Sequence, residues 1–291
     1  MAPPLEFPAT PGLDRPHFAD LAQRASHLPF VLIATKARTP EGAIDTSLRA
    51  FDLVRALWNY SLNRTLYETW PPRDDRPLSS ILRGPLYTVH LPSGALAFDE
   101  YGYDAAGSVP PLLQISTQEW LRVRREEGQI RKVLTKHPYR PELEGCFRRY
   151  GEALDQVTME ATFLRLWSLL EYLTRAGSEH EKVVKRAAAI YEDSDYHRLV
   201  LQHLRAYRNG AVHAGLVRSE AQPLAIQLKR VVENMLHLHL NARRLRSMDE
   251  VAELLDLPLE ARALRALRRE NRRECARRDG LLVQAIRFRR S

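Results

Sequence analysis

The segment that most constrains the fold is TMEATFLRLWSLLEYLTRAG, residues 158–177. Its apolar residues recur at steps of three and four, which predicts one amphipathic helix with a stripe wide enough for the core of a bundle. The stripe consists of Phe163, Leu166, Trp167, Leu170 and Leu173. Because such a stripe is buried by packing against other helices, we expect an all-α bundle around it.

Helical patterns with few glycines or prolines flank this segment from about residue 117 up to residue 210. Further helices are expected within 117–137 and 141–156, and over 179–191, 195–208 and 224–243. We therefore predict a helical bundle over residues 116–257.

The N-terminal part has a different texture. Residues 30–37 form a short apolar run that ends in alternation, and helical spacing follows over 43–63. The segments 84–91 and 94–103 resemble two strands of a hairpin joined by Pro-Ser-Gly. We therefore predict a small α/β sheet domain over residues 1–115, and an α+β class for the whole chain.

Composition points to the cytoplasm. The apolar run FVLIA at 30–34 is far too short to span a membrane, and the first twelve residues lack the basic start and apolar centre of a secretory signal. Cys146 and Cys275 are the two cysteines, too few for a disulfide framework and without the paired spacing of a zinc site. Because no apolar run is long enough to span a bilayer, we expect no membrane partner. No phosphate-binding loop is present, and we expect no cofactor.

The positive charge is concentrated near the C-terminus. The formal net charge is +8, and residues 260–291 hold eleven arginines against four acidic residues. Arginine without lysine favours bidentate phosphate contacts, so residues 258–291 are predicted to form an arginine-rich helical tail that binds nucleic acid or another polyanion. The candidate RNA-binding residues are Arg268, Arg269, Arg272 and Arg273. The alternative is a solvated helix face.

The candidate reaction centre is YRNGAVHAG, residues 207–215, which contains Arg208, Asn209 and His213. Arginine followed five residues later by histidine also occurs at 175/180 and 198/203, so this spacing is weak by itself. We expect Gly210 to break the helix, which would let His213 turn back toward Arg208. Such a pair suits RNA cleavage without a metal, since arginine holds the phosphate and histidine moves protons.

The other two arginine–histidine pairs lack this geometry. Arg175 and His180 straddle a predicted helix end, where an exposed arginine is expected from the helix dipole. Arg198 and His203 lie in one predicted helix, where five residues leave the side chains about 140° apart. The acidic cluster at 191–197 is interpreted as a helix cap, and the histidines of HLH at 237–239 point to different faces, so no metal site is predicted.

Glu171 is predicted to support the motif from behind. It lies four residues after Trp167, on nearly the same side of the 158–177 helix. A carboxylate on an apolar stripe needs a partner, and an arginine from a neighbouring helix is the obvious one. Arg165, on the same helix, is a second supporting candidate.

The segments FLRLWSLLEYLT (163–174) and YRNGAVHAG (207–215) together resemble the ApeA-like branch of the HEPN superfamily. That family's marker is an arginine, usually a polar residue after it, and a histidine after four to six residues, and Arg208, Asn209 and His213 match it. The resemblance covers about 143–245. KHPYRP at 136–141 and the start at 30–63 are similar to full-length relatives, whereas the tail from 258 is not covered.

The resemblance implies a helical-bundle fold and a homodimer in which two motifs meet across a shared cleft. It also implies a metal-independent endoribonuclease of bacterial anti-phage defence or of a toxin system, with an N-terminal domain that senses a phage-derived trigger or an antitoxin that restrains it. Two alternatives remain open. One is a non-catalytic nucleotide- or RNA-binding module, and the other is a protein-interaction scaffold whose motif only ends a helix.

Overall fold

The computed structural model describes residues 31–64, 77–84, 86–91, 93, 97, 102–103, 115–214, 221–258 and 263–264, and of 86–87, 102–103 and 211–214 the backbone alone. The chain divides into two compact units. The first comprises residues 1–55 and 81–114, and the second comprises residues 56–80 and 115–291.

The first unit contains most of helix α1 (Pro40–Asn63) and one short antiparallel pair, β1 (Leu86–Tyr87) with β2 (Gly102–Tyr103). Asp52 links α1 to the segment after residue 80, because its carboxylate pairs with Arg55 at 3.2 Å and with Arg83 at 3.3 Å. Burial of the Arg55 side chain, which is 3% exposed, makes this pairing necessary.

The predicted N-terminal sheet domain, and with it the α+β class, is wrong. In the described part of residues 1–115, strand pairing amounts to two residues in each of β1 and β2 and an isolated bridge at His90, and the protein is mostly α-helical. Residues 31–37 form no strand, and Val31 and Leu32 are 55% and 70% exposed. An apolar run becomes a strand only where a partner covers it, and here the apolar side chains remain exposed.

The second unit is a helical bundle, in which the end of α1 joins seven further described helices. They are α2 (Thr117–Thr135), α3 (Arg140–Leu154), α4 (Met159–Thr174), α5 (His180–Ala188), α6 (Ser194–Ala214), α7 (Ala221–Asn241) and α8 (Met248–Asp256). The helices predicted from apolar spacing are confirmed to within a few residues, except that α6 extends six residues beyond its predicted end. Side-chain caps fix several starts: the hydroxyls of Ser116, Thr158 and Ser247 each accept a backbone N–H three residues on.

Helix α4 is the centre of the bundle. It packs most extensively against α7 and also contacts α3, α5, α6 and α8. Its predicted stripe is confirmed, since Phe163, Leu166, Trp167, Leu170 and Leu173 are all at most 1% exposed. Burial of such side chains stabilises the fold by about 1.5–3 kcal/mol each, so this helix supplies much of the driving force for packing.

The end of α1 packs on α3 through aromatic edges. Tyr60 lies 5.4 Å from Phe147 and 6.0 Å from Tyr150, measured between ring centroids, and both ring pairs are edge-to-face. Gly151 allows this close approach, because a Cβ at that position would lie 3.1 Å from the Cβ of Ala56. A larger residue at 151 would push the two helices apart.

A buried ion pair on α7 holds the C-terminus of α1. Lys229 Nζ lies 2.9 Å from Glu233 Oε1, and the side chains are 7% and 5% exposed. Lys229 also donates to the carbonyl of Asn63 at 3.0 Å, and Tyr150 donates its hydroxyl proton to Glu233. The ammonium therefore satisfies a carbonyl that the helix end leaves without an intrahelical partner.

A second buried polar network lies near the end of α7, with His239 at its centre. His239 Nε2 donates to the carbonyl of Leu173 at 3.0 Å, and Nδ1 accepts from the hydroxyl of Tyr139 at 3.1 Å. His137 Nε2 donates to the His239 carbonyl at 3.0 Å. The ring of His239 is wholly buried, which lowers its pKa from the ordinary value of 6.5 to about 4.

This pKa predicts acid sensitivity of the fold. Between pH 6.5 and about 4 the unfolded chain binds a proton at His239 and the folded chain does not, so the free energy of unfolding should fall as pH decreases through that range. The loss attributable to His239 is on the order of 3 kcal/mol. It should be visible in urea unfolding measured at several pH values.

His239→Gln should flatten that pH dependence, because the amide can still donate to Leu173 and does not titrate. His203→Gln is the matched control, since His203 is exposed on α6. An equally steep pH dependence in His239→Gln and in the control would contradict the assignment.

Candidate functional site

The predicted motif lies near the end of helix α6, and the helix continues through it. Residues Ser194–Ala214 are helical without interruption, so the prediction that Gly210 breaks the helix is wrong. One glycine costs a helix about 1 kcal/mol, and the buried side chains of Leu201, Leu204 and Tyr207 hold the preceding turns on the bundle. Positions 208 and 213 are therefore about 140° apart around the helix axis, as in the 198/203 pair.

Arg208 and Asn209 form the described part of the motif. Both side chains are half-buried, and Arg208 Nη1 donates to Asn209 Oδ1 at 3.3 Å. The bond uses one of the five N–H donors of the guanidinium. Tyr207 anchors this turn, because its ring packs edge-to-face on Phe163 of α4 at 4.8 Å between centroids. The motif is thus fixed to the central helix through an aromatic contact.

Besides Glu171, the other predicted site residues are Arg165, His213 and the four arginines of the tail. Arg165 is exposed on α4. The side chain of His213 and the tail residues Arg268, Arg269, Arg272 and Arg273 lie outside the described part of the chain. Of the predicted tail, the structure describes Ala263 and Leu264, which are helical, and Leu264 is buried.

Glu171 is partnered, although not by an arginine. Its Oε1 accepts the indole N–H of Trp167 at 2.8 Å and lies 3.2 Å from Nδ1 of His180, the first residue of α5. The Glu171 and His180 side chains are 21% and 24% exposed. The predicted proximity of Trp167 and Glu171 is confirmed, and the carboxylate also lies close to a partly exposed imidazole whose Nδ1 makes no hydrogen bond.

His180 is the residue that sequence reasoning missed. The sequence pattern paired His180 with Arg175, but in the structure the nearest charged group is Glu171, across the tight turn between α4 and α5. That turn needs two residues with positive φ, Arg175 at 51° and Gly177 at 56°. The signal in the sequence is the short AGSE connection, which returns the chain to the side of α4 that carries Glu171.

An ion pair joins this cluster to the motif helix. Arg205 of α6 pairs with Glu181 of α5, the residue that follows His180. Arg205 and Arg208 are neighbours on the surface of α6, because residues three apart lie one turn from each other. The carboxylate–imidazole pair and the motif arginine therefore occur on adjoining elements of the same part of the bundle.

The clusters considered as metal ligands have structural partners. Asp193 Oδ1 accepts the backbone N–H of Tyr196 at 3.0 Å, so the predicted cap at the start of α6 is confirmed. The described residues contain no group of three or more metal-binding side chains. His239 belongs to the buried network of the core.

Comparisons of the chain with protein-family models, with curated proteins and with solved structures gave no match. Among the described helices, none combines the length and the apolar character needed to cross a bilayer.

Glu171→Ala should destabilise the protein. The change leaves the indole N–H of Trp167, a residue that is 1% exposed, without its acceptor. An unsatisfied buried donor costs about 1–3 kcal/mol, measurable as a lower urea midpoint. Glu171→Gln keeps an acceptor and should cost less. Glu253→Ala, an exposed glutamate of α8, is the control; an equal loss in Glu171→Ala and Glu253→Ala would show that the buried contact contributes nothing.

Proposed function

We propose that the protein is a metal-independent endoribonuclease of the HEPN type that acts as a homodimer. The observation that supports this proposal best is the half-buried Arg208–Asn209 pair, on the turn that Tyr207 fixes to the central helix. Arginine and asparagine together offer the planar donors and the amide that recognise a phosphodiester.

The chemistry divides between two residues. His213 would act as the general acid–base on the ribose 2′-hydroxyl or on the leaving 5′-oxygen. Arg208 would hold the phosphate and stabilise the negative charge that grows on it, and Asn209 would orient the substrate. The 2′-oxygen attacks phosphorus, so the products are a 2′,3′-cyclic phosphate and a 5′-hydroxyl.

The continuous α6 helix favours a site shared by two protomers. Positions 208 and 213 lie about 140° apart around one helix, and we infer that the site would need one of the two residues from a second copy. A two-fold axis near the ends of two α6 helices would place Arg208 of one copy opposite His213 of the other. The homodimer is thus part of the catalytic proposal.

Within the cell the nuclease would act in the cytoplasm, in anti-phage defence or as a toxin. Its control would come from a phage-derived trigger sensed by the N-terminal unit or from a separate antitoxin. These roles rest on the resemblance of residues 143–245 to ApeA-like HEPN proteins.

A second function is a non-catalytic RNA- or nucleotide-binding module. The divergence of positions 208 and 213 on one helix favours it, since binding would use Arg208 and would not need His213. The two functions differ in whether His213 is required for RNA cleavage and dispensable for RNA binding.

The purified protein should cleave labelled RNA and leave DNA of the same sequence intact, because the attacking 2′-hydroxyl is absent from DNA. Cleavage should proceed equally in EDTA, and any required trigger must be included. His213→Ala should lose roughly two to four orders of magnitude in rate, as expected for a general acid–base. Arg208→Lys should also fail, since a point charge does not replace the planar fork.

His203→Ala and Arg198→Lys, at exposed positions on the same helix, are the matched controls and should retain activity. Cleavage that survives His213→Ala, or that is abolished by the chelator alone, would remove the motif as catalyst and leave the binding module.

A mixing experiment tests the shared site. Arg208→Ala and His213→Ala chains, each inactive alone, should regain activity when co-expressed and purified together. With random pairing, half the dimers are mixed and each holds one intact site of two, so about a quarter of the wild-type rate is expected. No recovery in a preparation shown by mass to contain mixed dimers would contradict a site built from two copies.

A further inference from the structure

A dense positively charged surface covers the end of the bundle at which α4 and α7 terminate. Three segments meet there: the α2–α3 connection, the turn after α4 and the α7–α8 connection. We call it the basic end surface. These segments carry the exposed cations Lys136, Arg140, Arg175, Arg243, Arg244 and Arg246, and Arg149 of α3 joins them because its guanidinium lies over the ring of Tyr172.

The three segments are joined by buried hydrogen bonds. His239, near the end of α7, donates to the last turn of α4 at Leu173 and accepts from Tyr139 of the α2–α3 connection. Arg243 lies close enough to His137 that its charge, after burial as the main cause, helps to lower the pKa of that imidazole. The cations are therefore carried by a fixed framework.

A second set of contacts fixes the turn after α4. Arg186 Nη1 donates to the carbonyls of Thr174 at 2.7 Å and Arg175 at 3.0 Å, and its Nε donates to Asp256 at 3.0 Å. The guanidinium of Arg175 pairs with Asp249 of α8 at 2.8 Å. Arg175 thus ties the end of α4 to the start of α8, three residues after Arg246, and Arg186 ties it to the last residue of α8.

Acidic residues neutralise only part of this surface. Glu144 pairs with Arg140 at 2.6 Å, Asp249 pairs with Arg175, and Glu142 is exposed. Glu250 is buried, and its Oε2 accepts the backbone N–H of Arg246 at 2.9 Å. Glu179, in the turn after α4, is also exposed, so among the described residues of these segments the seven exposed cations outnumber the surface carboxylates Glu142, Glu144, Glu179 and Asp249. The excess leaves a positive potential that attracts polyanions.

An aromatic ring lies within the cationic cluster. The guanidinium of Arg149 lies over the ring of Tyr172 at 4.3 Å from its centroid, and that of Arg175 lies at 5.7 Å. Stacking on the ring limits the rotation of the Arg149 fork, so less entropy is lost when it binds a phosphate. Arginines beside an aromatic side chain are the elements with which proteins hold single-stranded nucleic acid.

The described exposed apolar side chains argue against a lipid surface as the partner. The large ones are Val31, Leu32, Leu91, Leu121, Val157, Tyr196 and Leu199, and none belongs to the basic end surface. A protein that binds a bilayer usually inserts such side chains beside its cations. The basic end surface combines cationic side chains with an aromatic ring and has no apolar rim. These features fit a phosphodiester strand better than they fit a bilayer.

We propose that the basic end surface binds single-stranded RNA, as a docking site separate from the Arg208 motif. The choice of RNA over DNA rests on the proposed function, whereas recognition of a phosphodiester strand rests on the contacts above. The surface would hold the substrate strand while a distant part of the same strand reaches the motif.

Binding of a fluorescein-labelled uridine 20-mer, followed by anisotropy, tests this proposal. All proteins carry His213→Ala, so that no strand is cut. The surface variant is Arg149→Gln/Arg243→Gln/Arg246→Gln, and the control is Arg49→Gln/Arg131→Gln/Arg198→Gln, which removes three exposed arginine charges elsewhere. The two variants have the same net charge, so general electrostatics affects them equally.

The surface variant should bind roughly 10- to 100-fold more weakly near 0.1 M salt, and its logarithmic salt slope should fall by about 2, since each lost phosphate contact on a single strand contributes about 0.7. The control should remain near the parent protein. Equal losses in both variants, or no loss in either, would overturn the proposal.

Two further arms keep the result decisive. If the triple surface variant does not fold, Arg243→Gln/Arg246→Gln against Arg131→Gln/Arg198→Gln tests the same prediction with two charges. Vesicles of phosphatidylserine provide the other arm, and a variant that loses vesicle binding but keeps RNA binding would overturn the assignment to RNA. Absence of cleavage by the wild-type protein would count against the ribonuclease alone, because strand binding is measured without cleavage.

Discussion

Burial of helix α4 is the constraint on which the rest of the bundle depends. Five other helices contact it, and its apolar side chains are almost completely removed from water. Each buried polar group on this helix then needs a partner inside the protein. Glu171 accepts from Trp167, and the carbonyls of the last turn accept from His239 and Arg186. Hydrophobic packing thus dictates where the polar networks occur.

Those networks give the two ends of α4 different characters. Near its start, Phe163 contacts Tyr207 and so fixes the turn that carries Arg208. At its end, the carbonyls of Leu173 and Thr174 are held by donors from α7 and α5, and the exposed arginines gather around them. Because α4 is rigid, a strand held at one end would have a defined distance to the motif at the other, about 20 Å for a helix of this length.

The sequence predicted the bundle well because periodicity reports burial directly. The stripe from Phe163 to Leu173 and the Asp193 cap follow from local rules and are observed. The N-terminal sheet failed because alternation does not reveal whether a second strand covers the run at 31–37. The break at Gly210 failed because local propensity is weaker than the packing of Leu204 and Tyr207.

The ion pairs show which part of a site can be anticipated. Lys229 and Glu233 lie four apart in one helix, a spacing that favours an ion pair, although the third partner, the carbonyl of Asn63, is 166 residues away. For His180 the sequence shows only the short AGSE connection, because its approach to Glu171 depends on Arg175 adopting positive φ. A short connection indicates that the chain turns back, but it does not identify which side chains meet.

The continuous α6 helix also changes what the motif requires. A helix with its side chains is about 10–12 Å across. Two positions about 140° apart around its axis therefore face nearly opposite directions, and a ligand that contacted both would have to reach around the helix. A phosphodiester group is much smaller than that span. For the proposed ribonuclease, arginine and histidine would therefore act on one phosphorus when a second copy supplies the missing member, and a single protomer would then hold RNA without a complete reaction centre.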